Sequence, residues 1–278
     1  MKLISQIKKD LDFNRNLAGL IDVLKEIAIF QYHVMEKKVG VYNKIFDILR
    51  ELFESVPENI QHPFLNAVKG PPCVIAITSD AGLMGALNMQ VMSCAIREVE
   101  TSRAKLIIIG EKGKFYAQDS AIAFVAFEGI KDERRLEQAM QLRDYIINEG
   151  LNNRIGAVKV FYPYASSLIA QRIQALQILP MAKPKKEQAQ FIEQEIILES
   201  LVDNIVTYLV YLFLGQEFYE IFGFSRLAEM AARFVHLEDS GHKLEDIEKQ
   251  LRLQYFRQRH ELIDRSMREL FASRRAFR

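Results

Sequence analysis

The sequence carries almost no net charge and only two cysteines. Its 37 lysines and arginines oppose 36 aspartates and glutamates, so the formal net charge is +1. This balance argues against a protein that binds nucleic acid or a membrane surface through its overall charge. Cys73 and Cys94 are too few for a disulfide framework, and neither has a metal-binding spacing. We expect both thiols to be reduced, in a reducing compartment.

A long apolar run is also missing. The charge-free window around the most apolar stretch, residues 204–216, has 13 residues, whereas a membrane-spanning helix needs about 20. The first residues lack the uninterrupted apolar core of a secretion signal, and they include Asp10 and Asp12, which transit peptides avoid. The sequence therefore predicts a protein that is cytosolic, or bound to a membrane only through other proteins.

No stretch carries a complete catalytic or cofactor-binding motif. Gly82 and Gly85 follow a predicted strand, where phosphate-binding loops lie, but the lysine of a P-loop is absent there. The turn at Gly110 is a weaker match still. A tight turn with a helix cap from Ser79 or Asp80 is the better interpretation. The five histidines show no metal-ligand spacing. We therefore predict no catalytic residue, no cofactor and no metal.

Proline is absent after Pro184, which predicts one long helix over most of residues 185–277. Apolar residues recur there at helical spacing, among them Leu244, Ile247, Leu251, Phe256, Ile263, Met267 and Leu270. Such a helix would be about 120–130 Å long. Since no ordinary domain could bury that length, the helix needs a partner helix, a surrounding sleeve, or both.

The other proline-free stretch covers residues 3–56 and carries a heptad seam. Ten of its twelve positions are apolar, with steps that alternate between four and three: Leu17, Ile21, Leu24, Ala28, Gln31, Met35, Lys38, Tyr42, Ile45, Leu49, Leu52 and Val56. This is the period of a left-handed coiled coil. A helix packed on its own domain is the alternative, but a length of about 75–80 Å favours a coiled coil with the long C-terminal helix.

Between the two helices the hydrophobic period changes. Short apolar runs predict strands at residues 73–78, 105–110, 121–127, 156–162 and, at an edge, 168–179. Helices are predicted at residues 83–99, 111–118 and 132–149. This alternation predicts an open, mainly parallel α/β domain inserted between two helices that form an antiparallel coiled coil. The predicted parts are residues 1–57, 58–184 and 185–278.

Arginines accumulate at the C-terminal end. Eight lie between Arg252 and Arg278, against three acidic residues and no lysine. A basic helix can bind phosphates or acidic protein loops, or it can simply face water. Its position at the end of a long helix favours an acidic protein partner. Nucleic-acid binding is the weaker alternative, because aromatic residues do not interleave with the arginines; a steep salt dependence of binding would identify it.

The layout and several motifs resemble the γ subunit of F-type ATP synthases. The loop at residues 79–88 resembles that family's Ser-Asp-Arg-Gly-Leu-Cys-Gly-Gly-Leu-Asn through Ser79, Asp80, Gly82, Leu83, Gly85 and Asn88. Residues 229–237 resemble its Glu-Gln-Ala-Ala-Arg motif, and residues 251–255 its Leu-x-Leu-x-Tyr. The resemblance covers nearly the whole chain. Ala81 departs from the family arginine, and Arg259-His260 stands in place of its Arg-Gln pair.

This resemblance implies a non-catalytic central stalk that couples ion flow to ATP synthesis or hydrolysis. The implied partners are the α and β subunits of the catalytic ring, the ε subunit and the membrane c-ring, with no nucleic acid. The implied place is the cytoplasmic face of a bacterial inner membrane. The implied ring contacts are Arg259, His260, Asp264, Glu269, Arg274 and Arg275. A diverged γ-like paralogue, serving another ATPase or a non-rotary scaffold, is the alternative.

Overall fold

A computed structural model describes residues 4–38, 64–65, 70–181 and 202–276, with the side chains of the last helix described over residues 204–272. The chain divides into two compact units. One consists of Met1–Ile29 and Phe234–Arg278, and the other of Phe30–Arg233. Each unit is described by itself below.

The described chain contains five helices, five strands and one 3-10 turn, and its two longest helices come first and last. In order they are α1 (Ile4–Glu36), β1 (Cys73–Ile77), α2 (Leu87–Ser102), β2 (Lys105–Ile109), α3 (Glu111–Asp119), β3 (Phe124–Phe127), a 3-10 turn (Asp132–Arg134), α4 (Arg135–Leu151), β4 (Val158–Ala165), β5 (Gln171–Leu179) and α5 (Val202–Ala276).

The five strands form one sheet in the order β3-β2-β1-β4-β5. The β1–β2, β2–β3 and β1–β4 pairs are parallel, and β5 pairs antiparallel with β4 at the edge. Parallel neighbours require crossover helices, and α2, α3 and α4 provide them. The predicted open, mainly parallel sheet with a half-exposed edge strand is confirmed.

Several predicted elements begin later in the structure, among them the strands predicted from residues 156 and 168, which begin at Val158 and Gln171. For two other elements the backbone conformation explains the later start. The helix predicted from residue 83 begins only at Leu87, because Leu83 and Gly85 have left-handed φ values of 66° and 56°, which no α-helix contains. The strand predicted from residue 121 begins at Phe124, since Ala121 is also left-handed, with φ 52°.

Both faces of the sheet centre are covered, so the central strands β1 and β2 are almost entirely apolar. Successive side chains point to opposite faces. One face packs on α4 and α5 through Ile75, Ile77, Ile107, Ile109, Leu142, Ile146, Val206, Val210, Leu214 and Phe218. The other packs on α2 and α3 through Val74, Ala76, Leu106, Ile108, Val91, Met92, Ala95 and Ala117.

The beginning of α5 is apolar enough to match a membrane span by length and composition alone. An 18-residue window there has a mean hydropathy of 1.2, and 44% of the window is buried inside the protein. The core helix of a soluble protein passes the same test. Val206, Val210 and Leu214 are fully buried in the α/β core, so packing on the sheet accounts for this hydropathy.

In the first unit, α1 and α5 pair antiparallel. The ammonium of Lys25 lies 2.8 Å from the Glu238 carboxylate, and the Arg15 guanidinium donates to Glu248 at 2.9 Å. As the α1 number falls from 25 to 15, its partner number on α5 rises, which defines the antiparallel direction. The predicted pairing of the terminal helices is confirmed.

The predicted seam of α1 differs from the structure at one helical position, where Tyr32 is buried instead of Gln31. Ala28 and Met35 are buried as predicted, but Gln31 and Lys38 are exposed. Tyr32 is buried in place of Gln31, in a cluster with Ala165, Leu227, Ala228, Met230 and Ala231. The tyrosine ring buries more apolar area than a glutamine side chain, whose amide would need buried hydrogen-bond partners. Seam positions 42–56 lie outside the described residues.

The three-part division predicted from the sequence stays a prediction. Its boundaries at residues 57–58 and 184–185 both lie outside the described residues, as does the predicted helical stretch at residues 185–201.

Candidate functional site

The loop after β1 begins with a threonine that joins three elements. The Thr78 backbone amide donates to the Ile109 carbonyl at 2.8 Å, and its hydroxyl donates to the same oxygen at 2.7 Å. The Gly113 amide of α3 in turn donates to that hydroxyl at 3.0 Å. Thr78 therefore holds the ends of β1 and β2 beside the start of α3. Sequence reasoning placed Thr78 in the strand and assigned it no role.

Ser79 and Asn88 close the loop that carries the family resemblance. The Ser79 amide donates to the Asn88 side-chain oxygen at 3.1 Å, and the Asn88 amide group donates to the Ser79 hydroxyl at 2.9 Å. The Ser79 hydroxyl donates to the Ala81 carbonyl at 2.9 Å. These bonds fix the ends of a ten-residue loop, and they give the Ser79 and Asn88 side chains a structural role.

Asp80 caps a helix, although a different one from the helix predicted. Its carboxylate accepts a hydrogen bond from the Glu111 amide at 2.8 Å, at the first turn of α3. It does not cap α2, which begins at Leu87 with no side-chain cap. A carboxylate at a helix N-terminus is favourable because the first amides have no partner within the helix.

The remaining loop residues have distinct surroundings. Gly85 takes the left-handed conformation that favours glycine. Gly82 has open space around it, since an added Cβ would meet nothing within 4 Å. The Leu83 side chain is 50% exposed. The middle of this loop therefore presents an apolar side chain to the surroundings while both of its ends are held by hydrogen bonds.

A buried ionic network lies on α5. The Arg226 guanidinium contacts the Asp132 carboxylate at 3.0 and 3.3 Å and also donates to Glu229. Arg233 lies 3.8 Å from the same Glu229 carboxylate. Glu229 is only 5% exposed. Burial raises the pKa of its carboxyl, and the guanidiniums of Arg226 and Arg233 oppose that effect.

The loop and the ionic network line one cavity of about 80 Å³. It lies at the carboxyl ends of β1 and β4, and both stretches that resemble the family contribute to its walls, residues 79–88 through five side chains and residues 229–237 through Glu229. The lining residues are Ile77, Thr78, Ser79, Asp80, Ala81, Leu87, Asn88, Ile130, Pro163, Ser225, Arg226 and Glu229. Sequence reasoning missed Ser225, Arg226 and Asp132. Of the three, only Arg226 carried a local signal, its spacing of three residues from Glu229 on one helix face.

Polar groups of the cavity make structural contacts with one another and with the backbone. No histidine lines the cavity, and the Ser79 hydroxyl is engaged with a backbone carbonyl. Among the described residues, no group of three histidine, cysteine or acidic side chains could hold a metal ion. Arg226 binds Glu229 of its own helix and Asp132, which joins this part of α5 to the 3-10 turn.

The sequence-predicted ring-contact residues lie in the other unit, on the C-terminal part of α5. Arg259, His260, Asp264 and Glu269 are exposed there, and Glu269 accepts a hydrogen bond from Arg265 at 3.1 Å. Exposed apolar side chains alternate with them, namely Ile263, Met267 and Leu270. The side chains of Arg274 and Arg275 lie outside the described residues. This helix surface combines charge and apolar area, as protein interfaces do.

The α1–α5 contacts predict that acid weakens the first unit. Hydrogen bonding to Lys25 lowers the pKa of Glu238 from its usual value of 4.5, and Arg15 does the same for Glu248. A carboxyl with a lowered folded-state pKa stabilises the fold above its unfolded pKa and loses that stabilisation as pH falls through the folded pKa. We expect the urea midpoint of the helix pair to fall when pH drops from about 5 to about 3.

The matched variants for this experiment are Lys25→Gln and Lys249→Gln, and circular dichroism measures their unfolding in urea. Lys25→Gln should lose part of the acid dependence. Lys249→Gln should keep it, because Lys249 pairs with Asp246 of its own helix at 3.0 Å. Equal acid dependence in the wild type and Lys25→Gln would contradict the assignment.

The described residues define the class of the protein. It has two long helices paired antiparallel, an α/β domain inserted between them in sequence, and a crevice of that domain occupied by side chains of the last helix. A profile of the ATP synthase family matches residues 4–277. The chain belongs to this family.

Curated relatives and solved structures agree with this assignment. The chain is 22% identical to the ATP synthase gamma chain of Clostridium beijerinckii over 273 residues, covering 95% of each chain. It is 27% identical to that of Mycoplasmopsis pulmonis over 281 residues, covering 94% of this chain and 98% of the relative. A chain of the Euglena gracilis mitochondrial ATP synthase (OSCP/F1/c-ring) has the same fold, with a TM-score of 0.69 and 16% identity. The match covers 99% of this chain and 94% of that chain.

Proposed function

We propose that this chain is the central-stalk γ subunit of an F-type ATP synthase and turns as its rotor. The observation that carries this function is the match of the family profile to residues 4–277, which takes in the antiparallel helix pair and the α/β domain together. A chain from the rotor of the Euglena gracilis mitochondrial enzyme has the same fold, with a TM-score of 0.65, 17% identity, and coverage of 94% of this chain and 98% of that chain.

The proposed role requires no chemistry from this chain. A rotor acts by making different contacts with otherwise equivalent catalytic sites, because a partner can shift a conformational equilibrium only through its differential affinity for the two states. The two helices differ in sequence around their circumference, so each site of a surrounding ring meets a different face. Ion flow that turns the rotor then exchanges those contacts, and ATP hydrolysis drives the same exchange backward.

The proposed partners are the α and β subunits of the catalytic ring, the ε subunit and the c-ring. We place the chain on the cytoplasmic face of a bacterial inner membrane, held there through the c-ring. Bacterial gamma chains that match the chain over nearly their full length support the bacterial placement. The c-ring in the complex of one structural neighbour supports the attachment through a c-ring.

For the ring contacts we propose Arg259, with His260, Asp264 and Glu269 beside it, and Arg274 and Arg275 at the end of α5. Arg259 is exposed, and a guanidinium can bind a carboxylate with two parallel hydrogen bonds. An acidic loop of a β subunit is therefore its fitting partner. As binding partners of Arg274 and Arg275 we propose carboxylates of the ring, because an unpaired charge inside an apolar sleeve of the ring would cost several kcal/mol.

Rotation can be measured with a probe on the exposed Leu83. The variant Leu83→Cys, made together with Cys94→Ser because Cys94 is half-buried while Cys73 is buried, is assembled with the α and β subunits of its own organism. With the ring fixed to a surface and a bead on Cys at position 83, ATP should drive stepwise rotation. Arg259→Ala should lower the torque or coupled rate by about fivefold, the effect of about 1 kcal/mol of lost coupling.

Lys249→Ala is the matched control, because its ammonium pairs with Asp246 on the same helix and neither residue is a proposed ring contact. A complex that assembles and hydrolyses ATP without rotation would overturn the rotor role and support the non-rotary scaffold. Normal rotation with an unchanged rate in Arg259→Ala would overturn the Arg259 contact alone.

A further inference from the structure

The cavity described above lies where open α/β sheets bind their ligands. The chain runs from β1 outward to β2 and β3 on one side, and then places β4 on the other side of β1. Ligands of such sheets bind outside the carboxyl ends of the strands at this change of direction. The cavity is lined by Ile77–Ala81 directly after β1 and by Pro163 of β4, so it occupies that crevice.

The last helix fills most of the crevice. Arg226 and Glu229 of α5 line it, and Arg226 binds both Asp132 and Glu229. A volume of about 80 Å³ is left, whereas pockets for nucleotides and drug-sized ligands measure about 300–1,000 Å³. One water molecule needs only about 10–15 Å³ of such volume. The remaining space therefore suits a few water molecules and excludes a nucleotide.

Ser225 provides the second, independent observation. The residue is 3% exposed, it lines the cavity, and its hydroxyl has no hydrogen-bond partner among the described protein atoms. A helical serine can donate to the carbonyl four residues earlier, as Ser240 on the same helix does to His236 at 2.7 Å. Ser225 makes no such bond. A buried hydroxyl without a partner is costly, so this one points to a bound polar ligand.

The other cavity walls supply the partners that a water molecule needs. Buried water makes about two to four hydrogen bonds to polar groups. Ser79, Asn88 and the Asp80 carboxylate line the loop side. Arg226 and Glu229 line the helix side. Arg226 is paired with Asp132 and Glu229, and the Asp80 carboxylate accepts from the Glu111 amide. Each charged group of the lining thus has a partner, which favours a neutral ligand over an ion.

We propose that this crevice binds a small cluster of ordered water as a permanent ligand, and that the water hydrogen-bonds the Ser225 hydroxyl of α5 to the loop at residues 79–88. The α/β domain thus holds the last helix in its ligand crevice, partly through direct ion pairs and partly through water. The proposal concerns this chain alone and does not depend on its assembly into a larger complex.

Whether Ser225→Ala lowers or raises the melting temperature tests this proposal. If Ser225 binds water, Ser225→Ala removes that bond and should lower the melting temperature of the α/β unit by about 2–4 °C relative to Ser240→Ala. Ser240→Ala makes the same chemical change on the same helix and controls for helix propensity. If the cavity is dry, Ser225→Ala removes an unpaired buried hydroxyl and should raise the melting temperature; a rise or no difference overturns the proposal.

A direct measurement accompanies the variants. Crystals of the full chain grown with rubidium chloride should show solvent peaks within hydrogen-bond distance of the Ser225 hydroxyl and no anomalous signal there. An anomalous peak there would show that a monovalent cation is the ligand and would overturn the proposal of water. A cavity without solvent peaks would overturn the proposal even if Ser225→Ala were destabilising.

Discussion

Replacing Glu229 by alanine should lower the unfolding free energy of the α/β unit by about 3–5 kcal/mol, the cost of breaking a buried ion pair by removing one partner. Glu229 is 5% exposed, and it is bound by Arg226 and approached by Arg233. The side chains of both arginines are less than a fifth exposed. Without Glu229, Arg233 loses the only carboxylate recorded beside it among the described residues, so its charge is left poorly solvated.

Urea unfolding followed by circular dichroism measures this loss. Glu245→Ala is the matched control on the same helix, because the Glu245 side chain is 67% exposed, and it should cost within about 0.5 kcal/mol. Glu229→Gln separates charge from volume, since it keeps the shape and removes the charge. A Glu229→Ala variant within about 1 kcal/mol of the wild type would show that the network does not hold this part of α5.

Gly110→Ala should cost at least about 3 kcal/mol, through backbone strain and overpacking together. Gly110 has φ 97°, where a side chain is strained. An added Cβ would lie 2.4 Å from the Thr78 carbonyl oxygen and 2.7 Å from its carbon. Because these are backbone atoms of the loop that leaves β1, no side-chain rotation can relieve the clash.

Gly82→Ala, in the loop after β1, is the control. An added Cβ at Gly82 meets nothing within 4 Å. The unfolding free energy of the Gly82→Ala variant should therefore stay within about 0.5 kcal/mol of the wild type. The measurement is the urea midpoint, with the yield of folded protein as a second readout. Equal stability of the Gly110→Ala and Gly82→Ala variants would contradict the close approach of Gly110 to Thr78.

Local patterns in the sequence were enough to predict the elements and the fold class. The proline-free stretches and the heptad spacing indicated two paired helices, and five apolar runs alternating with helical patterns indicated the parallel sheet. These predictions succeed because hydrophobic burial imposes a period of 2 on strands and 3.5 to 3.6 on helices, and those periods are visible without any knowledge of the neighbours.

The same reasoning failed where the outcome depends on neighbours distant in sequence. Gln31 and Tyr32 are both compatible with the heptad period, and only the apolar cluster around Tyr32 decides which one is buried. Asp80 is a suitable cap for the helix that follows it in sequence. It caps α3 instead, because the parallel β1–β2 pair brings the Glu111 amide within 2.8 Å of its carboxylate.

By itself the sequence determined two long helices that pair, an inserted α/β domain, and a resemblance carried by three separate motifs. Only the tertiary structure decided that the loop at residues 79–88 and Glu229 line one crevice, together with Ser225 and Arg226. The physical reason is that the period of a helix or strand is a property of the local chain. The partner of a buried charge or hydroxyl is instead chosen by the packing of elements that lie far apart in the sequence.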